Sequence, residues 1–492
     1  MRTVRRCALR GPRSPSMTSA QPVTRSPYLA GNYAPTAEEH DLDLEVVAGA
    51  IPDDLRGVFV RNGSNPRFAP EGRYHWFDGD GMIHAVHFTA DGARYRNRWV
   101  TTTGFEAERE AGAALWTGIL EPPDLSRFPQ VFKDTANTDL VWFNGELLAL
   151  WWLGGDAYRV SLPDLETLGT EDFAGTLTSH IAAHPKVDTA TGELLFIDFD
   201  PIPPYLTLGV VAPDGRVVRS ESIDVGGPRL QHDLAFTDDY AIVFDFPFMW
   251  ETTATANRLR FHRDRASRFG LVPRSGTADD TTWFETDPCF MYHVANAWQE
   301  DGIVRLIGCE ISDPLVDDPD SPGDRRAAPE IAMLRLEPYL TEWVFHLDSN
   351  TITKRRINDE IAEFPKIDVR RTGRPTRYTY LMRFAPLETL AFDAVIRHDL
   401  ATDTTASHPW PDGWYGGETV FCPRQGSTAE DAGYLVTFVV HEATGESEVH
   451  VLDAARVGDE PVCRLSVPVR VPTGYHTWWV PEADLRASHR SG

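Results

Sequence analysis

Leu140-Val-Trp-Phe-Asn-Gly-Glu-Leu-Leu-Ala-Leu-Trp-Trp152 sets two apolar, β-prone runs on either side of Asn144-Gly145. An Asn-Gly pair accepts the positive φ values that a two-residue turn between antiparallel strands requires, so the stretch predicts a hairpin. The same design recurs from Ile83 to Phe105 around Asp91-Gly92, from Leu206 to Val225 around Asp214-Gly215, and from Val294 to Glu310 around Asp301-Gly302. Further β-rich stretches run over 331–357, 377–384, 392–400, 434–453 and 462–471. One good helix signal stands among them, Phe105 to Leu120, with early glutamates, an Ala-rich end and a stop at Pro122-Pro123.

Many short antiparallel units with no strand–helix alternation predict an all-β protein, and the length of 492 residues favours a propeller over a sandwich or small barrel. No strict sequence repeat is visible. Residues 1–26, basic and rich in Ser, Pro and Arg without an apolar stretch, read as a disordered tail, and 27–486 as one propeller domain. The acidic, Pro-rich piece from Asp313 to Pro329 reads as a long surface loop.

A formal charge of -26 spread along the chain excludes an extended nucleic-acid groove, which needs clustered Lys and Arg. Lysine occurs only at 133, 186, 354 and 366. Five widely spaced cysteines without a Cys-x-x-Cys pair suit a reduced, cytoplasmic protein. No apolar run reaches the roughly 18 residues of a membrane span. The apolar end of the expected helix, residues 111–120, is a candidate for peripheral contact with a headgroup layer.

Four histidines sit in short, unlike settings: Ala-His184-Pro-Lys, Gln-His232-Asp, Tyr-His293-Val-Ala-Asn-Ala-Trp and Tyr-His476-Thr-Trp-Trp. Each follows or opens a predicted strand. Imidazoles gathered from such distant strands require a fold that converges strands on one axis, and an all-nitrogen set suits Fe, Cu, Ni or Zn rather than Mg or Ca.

The stretch Ile51-Pro-Asp-Asp-Leu-Arg-Gly-Val-Phe-Val-Arg-Asn-Gly-Ser-Asn-Pro66, with His75-Trp-Phe-Asp-Gly-Asp-Gly-Met-Ile-His84, closely resembles the carotenoid cleavage oxygenase family, which includes stilbene-cleaving dioxygenases. The likeness continues through Ala183-His-Pro-Lys186, His232-Asp233, Asn296-Ala-Trp298, Glu363-Phe-Pro365, Gly417-Glu418 and Arg470-Val-Pro472, over roughly residues 27 to 482. It implies a seven-bladed propeller, a helical or loop dome over the top face, and Fe(II) on the axis held by His184, His232, His293 and His476. It also implies dioxygenase chemistry, in which O2 adds across an alkene to give two carbonyl fragments. Glu363 and Glu418 match two of three glutamates that orient ligand histidines in the family.

The chain departs from this pattern twice. Where relatives read Leu-Trp-Glu-x-Gly, it reads Leu150-Trp151-Trp152-Leu153-Gly154, so Trp152 replaces the third glutamate and leaves one ligand, His232, without a carboxylate. Losing such a partner typically lowers metal affinity or activity roughly 10- to 100-fold. Stilbene-cleaving relatives anchor a phenolic hydroxyl with a Tyr and a Lys at places that read Phe105 and Trp151 here, so the tunnel expected from Phe105, Trp151 and Trp152 favours an apolar polyene or apocarotenoid. The alternatives are a stilbene- or phenylpropanoid-cleaving enzyme and a weakly active propeller that binds apolar ligands.

Overall fold

The computed structural model describes residues 26–122, 126, 131–252, 257–314, 330–331 and 334–491. The tail expected over 1–26 (save Ser26) and all but Asp313-Pro314 of the expected 313–329 loop lie outside the described residues.

Among the described residues the main strands sort into seven antiparallel units, the blades of a propeller. The second blade runs outward as Asp139–Phe143, Glu146–Leu150, Ala157–Val160 and Thr167–Glu171. The third is Lys186–Asp188, Glu193–Phe199, Leu206–Val211 and Val217–Ser222. The fourth is Ala235–Phe236, Tyr240–Asp245, Ser267–Pro273 and Thr282–Thr286. The fifth is Phe290–Glu300, Ile303–Ile311, Tyr339–His346 and the first half of the long strand Thr351–Lys366. The end of that strand, 362–366, pairs Glu363 with Met382 and so opens the sixth blade, continued by Tyr378–Phe384, Phe392–Asp399 and Thr404–Pro409. The seventh is Val420–Pro423, Gly433–His441, Ser447–Asp453 and Cys463–Val467. The first blade is closed by the other end of the chain: Thr477–Pro481 pairs with Gly57–Arg61, which leads on to Met82–Thr89 and Gly92–Trp99.

The expected hairpin turns are all present. Asn144-Gly145 and Asp301-Gly302 both hold two successive positive φ values, the geometry that lets a two-residue turn follow the strand twist. Burial falls from axis to rim. Leu206–Val211, covered on both faces by neighbouring blades, is buried at every position, whereas the edge strand Val217–Ser222 alternates and Glu45–Gly49 at the rim of the seventh blade is exposed throughout.

The helix is shorter than expected. It spans Thr103–Ala111, with the Thr102 side chain accepting the Phe105 N–H at its start. Gly112, at φ 69, turns left-handed and closes it eight residues before the expected end. The next residues leave the helix because polar groups elsewhere take their N–H groups: Leu115 donates to Glu108 Oε1 (2.8 Å) and Ile119 to Asp78 Oδ1 (2.9 Å). Residues 111–120 are thus mostly a pinned loop and not an amphipathic helix. No helix among the described residues is long and apolar enough to cross a membrane.

Candidate metal centre

The innermost strands of the seven blades begin around one axis, and each brings a buried polar residue to it. In blade order these are His476, Asp139, His184, His232, His293, Glu363 and Glu418, none more than 8% exposed. Local irregularities aim several of them. His293 lies where the pairing of its strand with Ile303–Ile311 slips register twice, and Glu363 lies next to a slip before Lys366; bulges of this kind redirect a side chain out of the regular pleat. His184 is itself left-handed at φ 68.

The four imidazoles converge. Their ligand atoms lie within 4.8 Å of one another, and His232 Nε2 is 3.2 Å from both His184 Nε2 and His293 Nε2. His293 Nδ1 is hydrogen-bonded to Glu363 Oε2 at 2.6 Å, and His476 Nδ1 to Glu418 Oε1 at 3.0 Å. An ionised carboxylate accepts only, so with Glu418, and with Glu363 once a cation is bound, the ring proton sits on Nδ1 and Nε2 offers its lone pair to the axis. Lone pairs facing one another this closely repel unless a cation sits among them. Two nitrogens at right angles on a metal about 2.2 Å away stand about 3.1 Å apart, which matches the spacing found. Burial, and then the neighbouring imidazoles, hold His184, His232 and His293 well below the usual histidine range, so they are neutral and ready to donate.

The two glutamates differ in their support. Burial alone would raise the Glu418 carboxyl, but Lys366 (3.1 Å), His476 and the Thr477 hydroxyl (2.7 Å) outweigh it and hold it at about 2. Glu363 has no lysine or arginine partner among the described residues, and burial pushes it up to about 8. A dication bound by His293 would pull it back towards the ionised form.

His232 Nδ1 has no hydrogen-bond partner among the described residues. Trp152 is 4% exposed; its backbone N–H donates to Thr138 Oγ1 and its ring packs on Phe77 at 5.5 Å. Aromatic rings flank the imidazoles: Tyr292 meets His232 edge-on at 4.9 Å, and Phe364 lies 5.1 Å from His293 and 5.2 Å from His476. From Tyr475, next to His476, ring contacts run through Trp76 and Phe77 to Trp152. Trp151 and Trp152 belong to this large core cluster, whereas Phe105 packs in a separate small one with Met82 and Trp99.

Sequence reasoning missed Asp139, Lys186 and Lys366. Lys186 pairs with Asp233 at 2.6 Å, and Asp233 Oδ2 in turn accepts the Val294 N–H, tying the His232 strand to the His293 strand. A signal was available: two of the chain's four lysines fall within three residues of a motif His or Glu.

Seven blades that bring four buried imidazoles together on one axis form a propeller with a site able to hold a metal ion. The family described as retinal pigment epithelial membrane protein matches residues 33–481. A carotenoid 9,10(9',10')-cleavage dioxygenase 1 of Pisum sativum is 32% identical, covering 93% of this chain and 91% of its own. An apocarotenoid-15,15'-oxygenase of Synechocystis is 30% identical, covering 95% and 98%. The crystal structure of Pseudomonas brassicacearum lignostilbene dioxygenase superposes with a TM-score of 0.83 at 27% identity over 94% of this chain and all of that one. The chain belongs to the carotenoid cleavage oxygenase family, and it is a metal-dependent dioxygenase.

Proposed function

We propose that His184, His232, His293 and His476 bind iron(II), and that the protein cleaves a carbon–carbon double bond of an apolar carotenoid or apocarotenoid to give two carbonyl products. The observation that carries this reading is the set of four buried nitrogens, two of them fixed as lone-pair donors by Glu363 and Glu418. Iron(II), when bound, supplies the activation of O2 that an alkene cleavage needs. The chain's own residues do the rest. Glu363 and Glu418 hold the tautomer and angle of His293 and His476, and Tyr292 and Phe364 keep the surroundings dry. Trp151 and Trp152 give the alkene an apolar wall to lie against.

The names of the relatives support a polyene, and so does the chemistry of the wall. An indole N–H only donates, so Trp151 cannot take a phenolic proton. A stilbene substrate is the second reading, supported by the likeness to the lignostilbene dioxygenase. Cytoplasmic placement is supported by Cys289, Cys309, Cys422 and Cys463, all buried and free.

Aerobic incubation of iron-loaded protein with apocarotenoids and stilbenes tests the proposal. Two carbonyl fragments whose masses sum to an apocarotenoid plus O2 are expected. Cleavage of stilbenes alone would replace the substrate, and no cleavage of any alkene would overturn the reading.

A further inference from the structure

Around the four imidazoles stand four buried carboxylates within one or two side chains of a ring: Asp139, Asp233, Glu363 and Glu418. Two have a lysine of their own, Asp233 with Lys186 at 2.6 Å and Glu418 with Lys366 at 3.1 Å. The other two, Asp139 and Glu363, have no lysine or arginine ion pair among the described residues; each faces a histidine instead. Asp139 Oδ2 is 3.5 Å from His184 Nδ1 and accepts the His184 backbone N–H at 3.0 Å, while Oδ1 accepts the Leu140 N–H at 2.8 Å. That grip falls on the one axial histidine whose backbone is left-handed. A buried carboxylate without a counter-charge is costly, and two of them beside neutral imidazoles ask for two positive charges.

We propose that Asp139 is a positioning residue for the metal: it orients His184 and, with Glu363, gives the pocket two negative charges that a divalent cation balances. The inference rests on His184 being a ligand. Asp139 also ties the second blade to the third, much as Asp233 ties the fourth to the fifth, so the test must separate charge from tie.

Asp139→Asn removes the charge while its single carbonyl oxygen, turned to His184, still accepts the His184 N–H that ties the two blades; only the local Leu140 N–H loses its acceptor. Metal-free full-length protein is titrated with Co(II), whose visible bands report coordination, and its Tm is read without metal. Asp139→Asn is expected to fold with a modestly lowered Tm, from the lost Leu140 bond, and to bind Co(II) about 10- to 100-fold more weakly with altered bands. Asp139→Glu, which restores the charge, is expected to recover most of the affinity. Wild-type affinity and bands in Asp139→Asn would reduce Asp139 to a tie between strands and overturn the proposal. Should the Asn variant fail to fold, binding by Asp139→Glu as weak as that of His184→Ala would overturn it equally. Wild-type binding by His184→Ala would instead sink the ligand reading beneath it.

Discussion

Glu363→Gln and Glu418→Gln remove the same group from equivalent histidines, yet the structure predicts different outcomes. Glu363 holds His293 Nδ1 at 2.6 Å and has no lysine or arginine ion pair among the described residues. The amide can still accept the ring N–H, but it loses the charge that strengthens the bond and balances the metal. A buried charge-assisted hydrogen bond is worth about 1.5–3 kcal/mol, and at about 1.4 kcal/mol per decade this corresponds to a metal affinity about 10- to 100-fold lower. Burial already pushes this carboxyl towards its neutral form in the metal-free protein, so the apoprotein should keep its Tm within about 2 °C. Glu418 also carries Lys366, whose side chain is 21% exposed. Its amide leaves that ammonium half-buried and unpaired, which adds a fold cost of about 2–4 kcal/mol after discounting the part that water screens. Thermal scans of the metal-free proteins, paired with metal titrations, separate the two effects. Equal loss of Tm in both variants, or wild-type metal affinity in Glu363→Gln, would refute this division of labour.

Trp152→Glu should raise metal affinity by offering His232 Nδ1 a carboxylate, while lowering the Tm because a buried indole is lost at about 3–5 kcal/mol; a titration showing equal or weaker binding would mean that the glutamate cannot reach. Removing the metal with a chelator should lower the Tm of the wild type more than that of His476→Ala, since only a bound ion stabilises the native state. Kinetics on resveratrol, its 4'-methyl ether and an apocarotenal should show the apocarotenal fastest and no advantage for the free phenol, because a wall of aromatic rings discriminates mainly by shape. A clear preference for the phenol would refute the polyene reading.

Local chemistry made much of this legible in the sequence. The Asn-Gly and Asp-Gly turns announced their hairpins because the required φ values belong to few residues. His184, His232, His293 and His476 stood out through their contexts, and the structure brings all four together. What stayed hidden depends on distant partners. The helix stops at Gly112 rather than Pro122 because Glu108 and Asp78 capture the N–H groups beyond it. Strand Thr351–Lys366 serves two blades, a division set by the strands it meets and not by its own residues. Asp139 reads as an ordinary residue before a strand; its meaning comes from His184, 45 positions later.

The most direct test of the account is anaerobic titration of metal-free protein with iron(II), comparing the wild type with single Ala variants of His184, His232, His293 and His476. The account predicts one tightly bound iron per chain in the wild type and loss of most of it in every variant, with apoprotein folds intact. Full iron retained by any one of the four variants would contradict the four-histidine centre.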